Sequence, residues 1–229
     1  MPKPTTYDNG FFDDGRQYFA HGLPAWREFV LNDLKAKSIA DFGCGQGDWL
    51  EPLQDVIPVW GCDGYADINN LRIDPTNFRK LDIGSVNPTS LDVGKRDVVM
   101  SLEAMEHVSA DKEKNFLDCL LKPKPRVVVF GVASGWGKYD PTLVHKVNRL
   151  GETIPGGPEW HPQWGRHHVN CQPVDSVIAK MATRGYVVDQ ALSAKFSSLR
   201  VPSVSGSGRM KYAFASFYRK NTRVYVKAE

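Results

Sequence analysis

Short, wholly apolar runs alternate along the chain with segments whose apolar residues recur at helical spacing. Residues 38–42, 59–62, 79–83, 97–102 and 126–132 read as strands, the last being the most apolar run in the chain. Between them, 25–34 places Trp26, Phe29, Val30 and Leu34 on one helical face, and 49–56, 104–107 and 111–121 also read as helices. Strand and helix in strict alternation, with strands too apolar to face water, predict an α/β fold: a doubly wound, mostly parallel sheet with helices on both faces. The pattern breaks over 134–172, which is rich in Gly, Pro, Trp and His and reads as a lid insertion. It resumes with a helix over 174–183 that Gly185 caps, a strand from Tyr186 to Val188, a flexible connector over 203–208, a helix over 211–218 and a last strand over 223–226. Two regions follow: residues 1–37 as a polar tail and cap helix, and 38–229 as the main domain.

Composition adds bounds. At 229 residues, 41% hydrophobic and 24% charged, the chain reads as an ordinary globular protein whose net charge of +3 demands neither nucleic acid nor membrane. The charge is uneven, because from Gln190 onward eight Lys and Arg face a single acid, Glu229. A basic end suits an anionic substrate or RNA, or is simply a solvated face. Cys44, Cys62, Cys119 and Cys171 form no C-x-x-C pair and read as reduced thiols of a cytoplasmic protein. The polar N-terminus does not read as a signal peptide, and no apolar run reaches membrane-spanning length.

The chemistry concentrates in Ile39 to Trp49, IADFGCGQGDW. A strand delivers Asp41, and Gly43, Gly45 and Gly47 follow before the next predicted helix. Glycines at a strand-to-helix turn let the backbone approach a ligand closely. The G-x-G-x-G spacing departs from the dinucleotide fingerprint G-x-G-x-x-G. Asp63 then ends the second strand, where an acid can accept hydrogen bonds from ribose hydroxyls. Asp82 is predicted to end the third.

This constellation resembles motif I of the class I (Rossmann-like) S-adenosylmethionine-dependent methyltransferases. The resemblance runs from about Ser38 to Val226. It implies a seven-stranded sheet whose last strand is antiparallel, with S-adenosyl-L-methionine as cofactor. It places Gly43 and Gly45 against the methionine part, Asp63 on the ribose, Asp82 near the adenine amino group, and Ser101, Leu102 and Glu103 closing the site from strand four. Asp41, Cys44, Gly47, Gly64 and Ile83 complete the expected cofactor-binding set. The stretch Arg166 to Tyr186 is also similar to one in small bacterial and viral methyltransferases of unassigned substrate.

Methyl transfer is an in-line displacement with a neutral leaving group, so alignment supplies much of the catalysis, but a hydroxyl or amine acceptor must still lose a proton. Glu103-Ala104-Met105-Glu106-His107 puts two carboxylates and an imidazole at i, i+3 and i+4 of one predicted helix. This E-x-x-E-H pattern resembles metal-assisted oxygen methyltransferases of the ubiquinone pathway and of small-RNA 2′-hydroxyls. In the RNA group a distant histidine completes the site, and His168 is its counterpart here. Glu106, His107 and His168 are therefore the candidate catalytic residues. With Glu103 they are also the candidate ligands of a divalent metal, in competition with a metal-free polar site and a purely structural role. Trp136, Trp160, His161 and Trp164 in the lid offer stacking to a planar or sugar-like acceptor, or pack on the sheet edge.

Several absences narrow the reading. Asn-Pro-Pro-Tyr and Asp-Pro-Pro-Tyr are missing after strand four, and Pro-Cys is missing throughout. Amino-methylating DNA enzymes and thiolate-dependent cytosine methylation are thereby disfavoured. The expectation is a methyltransferase acting on an oxygen or nitrogen of a small-molecule acceptor, with an RNA 2′-hydroxyl methyltransferase as the alternative. An NAD-dependent oxidoreductase and a non-catalytic cofactor-binding subunit are the remaining classes.

Overall fold

The computed structural model describes residues 22–133, 160–161, 166–167, 170–199 and 221–228. Helix α1 (Leu23–Glu28) runs into a single wider turn, Phe29–Asp33, and precedes strand β1 (Ile39–Phe42). Then follow β2 (Val59–Asp63), β3 (Phe78–Lys80), β4 (Val98–Leu102), α2 (Glu113–Leu121) and β5 (Val127–Gly131). A small pair, β6 (Trp160–His161) and β7 (Arg166–His167), stands apart from the main sheet. The chain continues with α3 (Val174–Ala182), β8 (Tyr186–Val188), α4 (Gln190–Ser198) and β9 (Thr222–Lys227). The main sheet has seven strands in the order β3-β2-β1-β4-β5-β9-β8. Strands β1 to β5 pair in parallel, and β9 is antiparallel to both β5 and β8.

Period-two alternation in buried strands divides the core into two layers. Ile39, Val98, Met100, Val127, Val129 and Val224 face one side, where α1, α4 and residues 50–53 bring Trp26, Phe29, Phe196, Leu50 and Leu53. Ala40, Phe42, Val99, Val128, Phe130 and Tyr225 face the other, against Phe116, Leu117 and Leu120 of α2 and Val177 and Met181 of α3. Burying each such side chain contributes on the order of 1.5–3 kcal/mol. The helix sides differ in kind: Trp26 makes an edge contact with Trp49 (centroids 5.4 Å apart) and donates Nε1–H to the Trp49 carbonyl at 2.9 Å. Among the described residues no helix is long and apolar enough to cross a membrane. The four cysteines are buried free thiols.

Four local expectations change. Residues 49–56 form consecutive turns instead of a regular helix: Leu50 and Glu51 both donate to the Gly47 carbonyl, Leu53 and Gln54 to that of Leu50, and Val56 and Ile57 to that of Leu53. Pro52 lacks an N–H and crowds the carbonyl four residues back, so an unbroken ladder cannot form. Strand β3 ends at Lys80, leaving Asp82 and Ile83 in the following turn. Residues 105–107 make one 3-10 turn, confined between left-handed Glu103 (φ 55°) and extended Val108. Helix α4 was not expected, although Asp189 caps it by accepting from the Leu192 N–H at 2.9 Å, a Ser/Thr/Asp/Asn N-cap signal that the sequence does carry. The predicted helix over 211–218, the connector over 203–208 and most of the lid over 134–172 lie outside the described residues.

Candidate functional site

The site forms at the carboxyl ends of the parallel strands, where loops leave β1, β2 and β4. Between β1 and residue 48 the chain must turn three times in a few residues, and Gly43, Gly45 and Gly47 hold φ of 84°, 55° and 90°. At Gly43 the constraint is steric as well, since a Cβ there would come 2.4 Å from Ala104 Cβ. The loop after β1 is therefore pressed against the loop after β4. The N–H groups of Gly43 and Cys44 both donate to the Cys62 carbonyl, at 2.8 and 3.0 Å.

Asp63 organises this corner. Its Oδ2 accepts the Gly45 N–H at 3.0 Å, and its Oδ1 accepts those of Tyr65 and Ala66 at 2.7 and 3.0 Å. A carboxylate offers about four lone-pair positions, so three backbone donors leave Oδ2 with capacity for one more. Asp41 lies buried one strand away. Burial pushes its carboxyl well above the usual range, and the charges of Asp63 and Asp48 add to this. The Cys44 thiol is raised by burial and then by Asp41 and Asp63, so it stays protonated and packs as a small apolar group.

Other expected cofactor residues serve the scaffold. The exposed Asp82 accepts the Gly84 N–H at 2.9 Å and the Ser85 hydroxyl at 2.7 Å, capping its own turn. Ile83 is buried in the core against α2, and Leu102 in that against α1. Ser101 is fully buried and donates to the Phe42 carbonyl at 2.6 Å, tying β4 to β1 beside the glycine loop. Gly64 continues the Asp63 corner, where a Cβ would stand 3.5 Å from the Leu81 carbonyl oxygen, an ordinary contact.

The E-x-x-E-H segment departs most from expectation. The turn covers only Met105–His107, and left-handed Glu103 stands outside it, so the three side chains do not share one helical face. Glu103 and Glu106 act on each other across this break. Among the described residues no three His, Cys, Asp or Glu side chains gather as a metal site. His168 lies outside the described residues. Glu106 is fully buried, and burial raises its carboxyl to about 7 against opposing hydrogen bonds from Glu103 and from the backbone N–H groups of Glu106 and Ala133. Glu103 is raised well above the carboxylate range, first by burial, then by the charge of Glu106 and by donating to it; Asn221 opposes this. Both carboxyls therefore favour the protonated form more than a solvated carboxyl does.

Three neighbours of this pair were not anticipated. Asn221, just before β9, sits against Glu103. Buried Asn170 and Gln172 fix the returning chain: the Asn170 N–H donates to the Glu106 carbonyl and the Gln172 N–H to that of Ala133, both at 3.0 Å. Their side chains donate to Glu113, which Lys180 pairs at 2.6 Å. The segment from 134 to 169 thus leaves and rejoins the described fold beside Glu106. No periodicity or motif marks these amides, because their partners are far away in sequence.

No family model matches the sequence, and no curated protein does. Solved structures do match. A sugar N-methyltransferase, KedS8, from a Streptoalloteichus species is 13% identical over 100% of this chain and 96% of its own, with a TM-score of 0.62. Magnesium protoporphyrin IX methyltransferase from Synechocystis, with bound SAH, is 16% identical over 97% of this chain and 96% of its own, with a TM-score of 0.56. The plantazolicin methyltransferase BpumL, in complex with SAH, is 11% identical over 97% and 92%, with a TM-score of 0.53. With the sheet order and the antiparallel β9, these likenesses give this chain the class I, S-adenosylmethionine-dependent methyltransferase fold.

Proposed function

We propose that the chain is an S-adenosylmethionine-dependent methyltransferase that acts on an oxygen or nitrogen of a small-molecule acceptor. The observation that carries this is Asp63. It holds the glycine loop through Gly45 and keeps one accepting position on Oδ2, at the strand end where a ribose hydroxyl would be recognised. The residues present fit the cofactor in a second respect: the Glu103–Glu106 pair has no ion-pair partner among the described residues, and an ammonium is the group that would relieve it. When bound, S-adenosylmethionine supplies an electrophilic methyl group on a sulfonium.

The chain's own residues position and deprotonate. Gly43 and Gly45 admit a ligand to the backbone, Asp63 fixes its sugar, and Asn221 with the Glu103–Glu106 pair forms an acidic wall beyond β4. At neutral pH that wall can both orient a cationic group and accept a proton from an acceptor hydroxyl or amine. His107 and His168 are the further bases we assign. Calorimetric titration with SAH and with NAD tests the proposal: SAH should bind and NAD should not, and Asp63→Ala should weaken SAH binding. Tighter binding of NAD than of SAH would overturn it.

A further inference from the structure

The opposite ends of the same strands carry a second concave site. Lys37 and Ser38 precede β1, Lys95 and Arg96 approach β4, Lys124 and Pro125 approach β5, and Lys227 ends the antiparallel β9. These four strands are neighbours in the sheet, so their ends border one open concavity of about 460 Å³. Among the described residues its walls bring together Lys37, Lys95, Arg96, Lys124, Arg126 and Lys227 against one carboxylate, Asp97.

That carboxylate is already engaged. Arg126 holds it through two bonds, Nε to Oδ1 at 3.0 Å and Nη2 to Oδ2 at 3.1 Å, and the Lys37 backbone N–H donates to Oδ2 at 3.0 Å. Of the other five cations, Lys37 acts on Asp97 and Asp92 acts on Arg96, while Lys95, Lys124 and Lys227 have no ion pair among the described residues. Arg96 Nε is buried without an acceptor among the described residues. The Arg96 Nη1 donates to the Lys95 carbonyl at 3.1 Å, which holds its guanidinium over this loop. Lys124 is held at φ 53°, a conformation that side chains other than glycine rarely adopt, and its charge stands at the rim.

Concavity and lining identify the ligand class. Lys95, Lys124 and Lys227, without ion pairs and beside Lys37 and Arg96, carry more charge than a single monoanion can satisfy, whereas adjacent phosphate groups supply several charges in a small volume. Among the described residues no aromatic side chain lines the cavity to offer the stacking platform on which single-stranded nucleic acids are bound. A five-residue strand spans about 16 Å. A ligand here is therefore far beyond the 3–3.5 Å approach, roughly, that methyl transfer at the glycine-loop end requires.

We propose that this cavity binds a compact polyphosphate group, two or more adjacent phosphates, as an effector site separate from the glycine-loop site and independent of the reading of that site. The test is calorimetric titration with tripolyphosphate, alongside melting temperature. The comparison is the double variant Lys95→Ala/Lys124→Gly, in which glycine relieves the left-handed backbone so that the fold is retained, as circular dichroism would verify. The expected result is saturable one-to-one binding that weakens with salt, raises the melting temperature, and falls about tenfold or more in the double variant. Four results would overturn the proposal: no saturable binding at millimolar tripolyphosphate, equal affinity in the variant, an equal rise in melting temperature with sodium chloride at matched ionic strength, or tighter binding of a single-stranded oligonucleotide than of tripolyphosphate.

Discussion

Replacing Glu106 by glutamine should flatten the pH dependence of stability in the ligand-free protein. In the unfolded chain Glu106 titrates near its ordinary value of 4.5, whereas in the fold burial raises it to about 7. Between these values the native state holds a proton that the unfolded state has released, so stability falls as pH rises. The advantage of the neutral acid is complete below pH 4.5 and is lost as pH climbs through 7. A difference of about 2.5 units, at 1.36 kcal/mol each, amounts to about 3 kcal/mol for this fully buried group. Urea denaturation at pH 5 and pH 8 measures it. The wild type should lose about 2.5 kcal/mol more than Glu106→Gln between the two, so the variant, nearly isosteric, should be the more stable at pH 8. Burial raises Glu103 as well, so Glu103→Gln/Glu106→Gln should be flatter still. Parallel stability curves for wild type and both variants would refute the raised, buried pair.

Other outcomes follow from the same geometry. Binding of SAH at pH 7 should release protons from the Glu103–Glu106 pair if an ammonium settles against it, seen as a dependence of calorimetric enthalpy on buffer ionisation that disappears in the double Gln variant. Asp63→Ala should weaken SAH binding by about 1–3 kcal/mol and loosen the Gly45 to Ala66 corner; unchanged affinity in a folded variant would contradict the ribose assignment. Gly43→Ala should cost more than 1 kcal/mol or so in thermal stability, since it adds a Cβ 2.4 Å from Ala104 Cβ at a φ of 84°, and a melting temperature equal to wild type would sink that contact. Ser101→Ala should cost about 1 kcal/mol by stranding the buried Phe42 carbonyl, measurable by urea denaturation.

What the sequence determined by itself was local. Apolar runs specified β1, β2, β4 and β5 nearly to the residue, because a strand buried on both faces admits few polar positions, here Asp41, Asp63 and Ser101. Glycine spacing with Asp41 and Asp63 located the site, because positive φ and close approach leave a compositional trace. Pro52 carried the warning against a helix over 49–56 in its missing N–H, and Asp189 carried the cap of α4. Tertiary structure alone decided the rest. Whether E-x-x-E-H became a helix face or a 3-10 turn depended on Ala104 meeting Gly43 and on the Asn170 N–H reaching the Glu106 carbonyl, contacts between residues 61 and 64 positions apart. The basic cavity was equally invisible: Lys37, Lys95, Lys124 and Lys227 are scattered along the chain, and only the β1-β4-β5-β9 order gathers them. Backbone preferences act over a few residues and are written in sequence. Convergence of side chains depends on strand order, which parallel crossovers set over tens of residues.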